Sequence, residues 1–278
     1  MSRQTGSVAV ITGAASGIGR GLAEEAARRG MRLVLADRDA SALAQVCAAL
    51  QAGGSEVVSR VTDVGQLAQV EALRDCAVER FGGVDLVFNN AGVMQTGYSW
   101  EISQAQWQRL LDVNLGGVIH GIRCFVPLLL RQGRGGHVIN TASLAGLLSS
   151  PLLAPYNVTK QAVVALSETL HYELALLDAP IAVSVICPGA VASSIMASNQ
   201  HSDTAGDGLS QLLGERIREG MNPAELAALV FEAIDAKRFW VLPHKEFKVA
   251  LQRRVRSILD ETNPQFQLSA SEGEAHAS

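Results

Sequence analysis

Aromatic residues are scarce in this chain: Phe, Trp and Tyr make up 5% of its 278 residues. With 26 glycines, that composition favours tight turns and small-residue packing over an aromatic-rich binding module. Cysteine is sparse and scattered. Cys47, Cys76, Cys124 and Cys187 form no CxxC pair, which argues against a disulfide framework and against a zinc knuckle. Charge is low at 18%, and 23 basic against 27 acidic residues leave a formal net charge of −4. There is no basic stripe, so a nucleic-acid partner is not expected. The one short basic cluster, Arg253, Arg254 and Arg256, reads as a solvated helix face. The six histidines have no metal-ligand spacing, so no catalytic metal is expected. No uninterrupted apolar run approaches the roughly 20 residues needed to cross a bilayer. The N-terminal residues run straight into a strand-like segment without room for a signal peptide. A cytoplasmic protein with reduced, mostly buried thiols and no membrane association is the expectation.

Apolar residues, by contrast, make up 48%, enough for a sizeable core in one large domain. Short apolar runs predict strands over 7–11, 32–36, 56–62, 84–89, 136–142, 181–186 and 239–242. Helical periodicity predicts helices over 17–29, 41–51, 64–81, 156–177 and 223–235, with one long or broken helical stretch over 103–132. Strand and helix alternate with short Gly-rich links. Right-handed crossovers then give a doubly wound parallel sheet of Rossmann type, a three-layer α/β/α sandwich in a single domain over 1–266. The polar excursion over 193–219 is long for a compact domain and predicts a substrate lid. Residues 267–278 lack periodicity and predict a disordered tail.

Between the first strand and first helix the chain reads Thr12-Gly13-Ala14-Ala15-Ser16-Gly17-Ile18-Gly19. A glycine pattern alone is weak, but this placement makes it a phosphate cradle. Bare backbone admits a pyrophosphate, and the helix N-terminus meets it with free N–H groups. Asp37 ends the second strand, where a ribose-binding acid is expected. Its carboxylate would accept from both adenosine ribose hydroxyls and repel a 2′-phosphate. At about 4 Å and an effective dielectric near 20, that repulsion is on the order of 4 kcal/mol. A third of it favours NAD over NADP about tenfold. Arg38 is the complication, because it could turn to pair with a 2′-phosphate.

These residues and those that follow resemble the short-chain dehydrogenase/reductase family in its typical single-domain form. The glycine turn matches Thr-Gly-x-x-x-Gly-x-Gly, and Asp63-Val64 matches the pair that contacts adenine in the family. Asn89-Asn90-Ala91-Gly92 matches the motif after the fourth strand, and Asn114 falls in Val-Asn-Leu. Ser143 matches the serine after the fifth strand, and Tyr156 and Lys160 match Tyr-x-x-x-Lys. Pro188-Gly189, then Val191 and Ser193, match the segment gripping the nicotinamide, with Ser193 standing where many members have Thr. The resemblance runs in order from Thr12 to Ser193.

It implies a hydride passed between NAD(H) and a carbonyl or secondary alcohol. Asn114, Ser143, Tyr156 and Lys160 are then the catalytic set. Gly13, Ser16, Gly17, Ile18, Gly19, Asp37, Asp63, Val64, Asn90, Ala91, Gly92, Tyr156, Lys160, Pro188, Gly189, Val191 and Ser193 are the cofactor contacts. In the family Ser143 bonds the substrate oxygen, Lys160 binds the nicotinamide ribose, and Asn114 positions a water linking Lys160 to solvent. Taken alone, a Tyr and a Lys four apart are merely neighbours on a helix. As a pair, an ammonium about 4 Å from the phenol, at an effective dielectric of 20, would lower its pKa by up to about 3 units. That brings Tyr156 from its free value of about 10 towards working pH, where acid–base catalysis is most effective.

Leu147, Leu148, Leu152 and Leu153, with Met94, Gln95 and Met196, predict an apolar pocket and a fairly hydrophobic substrate. The helical stretches over 103–130 and 156–177 are those through which the family dimerises, so a homodimer or homotetramer is expected. Residues 244–266 would cover the substrate site or a neighbouring subunit. Two other functions remain open: an NADP-dependent carbonyl reductase in which Arg38 overrides Asp37, and a non-catalytic NADH-sensing regulator. A sensor needs no proton-relay residues, which weighs against the regulator.

Overall fold

A computed structural model describes residues 4–195 and 207–266. Seven parallel strands form one sheet: β1 (Val8–Thr12), β2 (Arg32–Asp37), β3 (Val57–Val61), β4 (Leu86–Asn89), β5 (Gly136–Thr141), β6 (Ile181–Ile186) and β7 (Trp240–Val241). Their order is β3-β2-β1-β4-β5-β6-β7. The order reverses between β1 and β4, where a crevice opens beyond the carboxyl ends of the strands.

On one face lie α1 (Gly17–Arg28), α2 (Ala40–Ala52) and α8 (Pro223–Asp235). Leu22, Ala26, Leu43, Val230 and Phe231 pack there on Ile11, Leu33 and Leu35. On the other face lie α3 (Leu67–Phe81), α5 (Gly117–Gln132) and α6 (Ala154–Leu176). Leu73, Phe125, Leu129 and Leu170 pack there on Val10, Val34 and Val138. Burial on both faces explains why the strands read as continuous apolar runs rather than alternating ones.

Local chemistry sets the ends. Asp39 caps α2 by accepting from Ala42 N, and Asn222 caps α8 ahead of Pro223. Ser103 and Gln106 form a capping box on α4 (Gln104–Leu110). The helix expected from residue 64 starts at Leu67 instead. The Asp63 carboxylate takes the amide of Gly65 at 2.9 Å and holds that stretch in a turn.

The stretch expected over 103–132 is α4, one π-helical turn (Leu111–Gly116) and α5 in continuous succession. Although no uninterrupted apolar run stood out in the sequence, Gln104–Gln132 as a whole is long and apolar enough to cross a membrane. In the fold its buried face packs on α3, β4 and β5 as a core helix.

Within the 193–219 excursion, Asp207–Arg218 forms α7, while Val191 bridges to Met221. Met196 and the rest of 196–206 lie outside the described residues, as does the tail over 267–278. The C-terminal segment is α9 (Lys248–Leu259).

Candidate active site

A cleft of about 1780 Å³ opens above the carboxyl ends of the strands. At one end lies the glycine turn. Gly13 and Gly17 adopt left-handed φ values of 66° and 48°. A Cβ on Gly13 would stand 2.9 Å from Ala91 Cα, and one on Gly17 2.8 Å from Ser193 Cβ. Only bare backbone fits at either position. Ser16 precedes α1 without capping it through its side chain. The first N–H groups of α1 therefore stay available to an anion beside Gly19 and Ile18, which also line the cleft.

Asp37 lines the same end. One carboxylate oxygen accepts from Ala15 N at 3.0 Å, and the other from Asp39 N at 3.1 Å. The group is thus oriented by the turn it braces. Arg38 lines the cleft too. Its charge, together with burial, which acts more strongly, lowers the pKa of Arg109 on α4.

Asn90 braces the floor. Its amide donates to Thr12 O at 3.0 Å and its oxygen accepts from Thr141 Oγ1 at 3.1 Å, tying β1, β4 and β5 together. Ala91 and Gly92 line the cleft beside it. Asp63 and Val64 do not. Asp63 is exposed, and the carbonyl of buried Val64 meets His120 Nδ1 at 2.7 Å.

At the other end stand Ser143, Tyr156 and Lys160. Pro155, with φ preset for a first helical turn, opens α6 and places Tyr156 there. A buried polar chain fixes α6 on the sheet: Asn89 donates to Asn140, and Asn140 to Ser167, each over 2.9 Å. Ser143, two residues past β5, stands near the Tyr156 phenol and acts to lower its pKa. Its Oγ accepts from Ala145 N at 3.2 Å. Lys160 is 3% exposed and Tyr156 6%. Lys160 Nζ donates to Thr141 O at 2.8 Å and lies 5.7 Å from the Tyr156 ring centroid.

The electrostatics correct one sequence expectation. Burial pushes the Tyr156 pKa up, and the Ser143 side chain only partly opposes this. Lys160 supplies no net lowering, because burial depresses its own pKa to about 8. In the protein alone, desolvation outweighs the pairing expected from helical spacing.

Asn114 is wholly buried in the π-helical turn and does not line the cleft. Its Oδ1 accepts from Val93 N at 2.8 Å, and its Nδ2 donates to Val93 O at 3.0 Å and Thr159 Oγ1 at 3.2 Å. Thr159 in turn donates to the Tyr156 carbonyl at 3.0 Å. Gly92 leaves a gap between Asn114 and Lys160. A Cβ there would be 3.4 Å from Asn114 Oδ1 and 3.5 Å from Lys160 Nζ.

Pro188, Gly189, Val191 and Ser193 line the wall after β6. Met94, Leu148, Leu152 and Leu153 line the apolar part, whereas Leu147 packs into the core beside Val163 and Gln95 bonds the Thr96 carbonyl. Arg253, Arg254 and Arg256 also line the cleft, so α9 forms one of its walls rather than merely a solvated face. His244, whose role no spacing pattern signals, accepts from Gly189 N at 3.0 Å. Among the described residues, no group of three or more His, Cys, Asp or Glu could hold a metal ion.

Comparison with known proteins places this geometry. Residues 7–204 match the profile of the family described as short chain dehydrogenase. A short chain dehydrogenase/reductase from Burkholderia phymatum, solved in complex with NAD, superposes with a TM-score of 0.94 at 42% identity, covering 97% of this chain and 100% of that one. The "CLA biosynthesis dehydrogenase/reductase" of Lactiplantibacillus plantarum is 31% identical over 92% of this chain and 94% of its own. The 1-deoxy-11-beta-hydroxypentalenate dehydrogenase of Streptomyces exfoliatus is 33% identical over 88% of this chain and 85% of its own.

Proposed function

The chain belongs to the short-chain dehydrogenase family of oxidoreductases, and from that premise we propose that it uses NAD(H) to interconvert a fairly hydrophobic ketone and secondary alcohol, with Tyr156 as acid and base. The observation that carries this reading is the convergence of Ser143, Tyr156 and Lys160 on the cleft that the glycine turn enters.

The cofactor fits the residues present. Bare backbone at Gly13 and Gly17, the open N-terminus of α1 and the braced Asp37 carboxylate suit a pyrophosphate and an unphosphorylated ribose. Asn90, Ala91, Gly92, Pro188, Gly189, Val191 and Ser193 would hold the rest. Asp63 and Val64 are assigned to the adenine end from family resemblance alone. When bound, NAD(H) supplies or accepts the hydride.

Ser143 holds the substrate oxygen beside the Tyr156 hydroxyl. Tyr156 gives its proton to that oxygen in reduction and takes it back in oxidation. Lys160 delivers protons towards Tyr156, and the gap at Gly92 is where a water would join Lys160 to Asn114. Met94, Leu148, Leu152 and Leu153 supply an apolar wall for the substrate body. Ile119 and Leu130 on α5 and Val158 and Tyr172 on α6 are exposed, which fits pairing of two copies through these helices. The free cysteines fit a reducing cytoplasm.

One observation favours a second reading. Arg38 and Arg109 bring two like charges together next to Asp37, and a 2′-phosphate would relieve their repulsion. A panel of apolar, polar and anionic ketones and alcohols, followed by nicotinamide absorbance with both NAD(H) and NADP(H), tests both. Turnover of apolar members with NAD(H) is expected. Strict preference for anionic or sugar substrates would overturn the substrate class, and higher kcat/KM with NADP(H) would overturn the cofactor.

A further inference from the structure

Resting on the reading that the Pro188–Gly189 turn borders the reactive end of the cleft, we infer that His244 is a positioning residue that fixes this turn and, through it, Ser143. Past β7 the chain turns back, and His244 Nδ1 accepts the Gly189 amide at 3.0 Å. An N–H donor there requires an unprotonated Nδ1, so the neutral ring carries its proton on Nε2. Pro188 has no N–H to offer, which leaves Gly189 as the turn's own donor. A side chain at 189 would press on both rings: its Cβ would stand 3.2 Å from His244 Cγ and 3.3 Å from Phe247 Cε2.

The other side of the turn faces the site. Pro188 O accepts from Leu144 N at 2.7 Å and, at 3.5 Å, from the Ser143 hydroxyl. The turn is therefore pinned between the serine that receives the substrate oxygen and an imidazole from the C-terminal segment. A reacting oxygen must be held to within about 0.5 Å, and supporting hydrogen bonds of this kind set that tolerance. His244 and Phe247 both line the cleft just ahead of α9, so the C-terminal wall and the Ser143 hydroxyl share one anchor.

Two variants of the full chain separate the acceptor from the ring. His244→Phe keeps a ring against Gly189 without an acceptor, and His244→Asn places an amide oxygen near the Nδ1 position without the ring. Backbone amide exchange is read first, with melting temperature as the folding control. His244→Phe should speed exchange at Gly189 by about tenfold or more, and His244→Asn should restore it, as expected when one hydrogen bond is lost and regained. Exchange at Leu86 should not change. On an alcohol turned over by the wild type, His244→Phe should lower kcat about tenfold with KM changed less than about threefold, and His244→Asn should stay within about threefold of wild type. Unchanged Gly189 exchange in His244→Phe, or equal loss of kcat in both variants, overturns the proposal. If the wild type turns over nothing, the oxidoreductase reading fails, while Gly189 exchange still decides the anchor.

Discussion

The ammonium of Lys160 donates to the carbonyl oxygen of Thr141 over 2.8 Å, inside a site where burial has pulled its pKa down to about 8. Among the described residues no carboxylate forms an ion pair with it, and the Thr141 carbonyl dipole favours the charged form instead. The sign of the resulting pH dependence follows directly. In the unfolded chain this lysine keeps its proton up to its ordinary value of 10.5, whereas in the fold it releases it near 8. The unfolded state therefore binds the extra proton between these values, and stability rises with pH there.

Cys187 pulls the other way. Burial raises its thiol from 9.0 to about 12, so above pH 9 the fold retains a proton that the unfolded chain has lost. The gain from Lys160 should thus stand out between about pH 8 and 9, at up to about 1.4 kcal/mol per pH unit. Urea unfolding of wild type and Lys160→Met measures it. The difference between the two should shift in favour of wild type across that interval, and parallel curves would refute the assignment.

Tyr156→Phe should abolish turnover, a loss of at least about 10² to 10⁴ for removal of an acid–base group, while NADH fluorescence still reports binding. Because burial raises the phenol pKa in the protein alone, difference titration of wild type against Tyr156→Phe should show this phenol ionising above its ordinary value of 10.0. Adding NAD+ brings a positive nicotinamide near the phenol and should move its titration downwards. Full turnover by the Phe variant would remove Tyr156 from the mechanism.

Asp37→Asn retains an oxygen acceptor for Ala15 N but removes the charge. The ratio of kcat/KM for NAD to that for NADP should fall about tenfold, corresponding to about 1.4 kcal/mol. Arg38→Ala in the same background should take back part of any gain with NADP. A ratio unmoved by Asp37→Asn would make the carboxylate only a brace for the glycine turn.

The parallel sheet was legible because strands buried on both faces, such as Val8–Thr12 and Ile181–Ile186, write unbroken apolar runs bounded by turns. The positions of Ser143, Tyr156 and Lys160 on the cleft were legible because each sits at a strand end or a helix start. The raised Tyr156 pKa was not, since burial depends on packing by residues remote in sequence. His244 escaped for a similar reason: its partner Gly189 lies 55 positions away, and a lone histidine after a short strand carries no spacing signal. Likewise Arg253, Arg254 and Arg256 look like any polar helix face until α9 is placed against the cleft.

Asn114 offers the sharpest separation of folding from chemistry. Its amide satisfies both backbone groups of Val93 and reaches Thr159, all without exposure to solvent. Asn114→Ala strands the Val93 N–H and C=O, and each orphaned group costs about 1–3 kcal/mol unless water enters. Asn114→Asp is nearly isosteric, yet it aims a second oxygen at the Val93 carbonyl and buries a charge. At neutral pH it should therefore unfold at lower urea than Asn114→Ala, and recover part of the deficit in mild acid as the carboxyl takes a proton. Activity should fall in Asn114→Ala even at temperatures where it remains folded by circular dichroism, because the gap at Gly92 loses the oxygen that would hold a relay water. Wild-type turnover by a folded Asn114→Ala would show that Asn114 shapes the π-helical turn and nothing more.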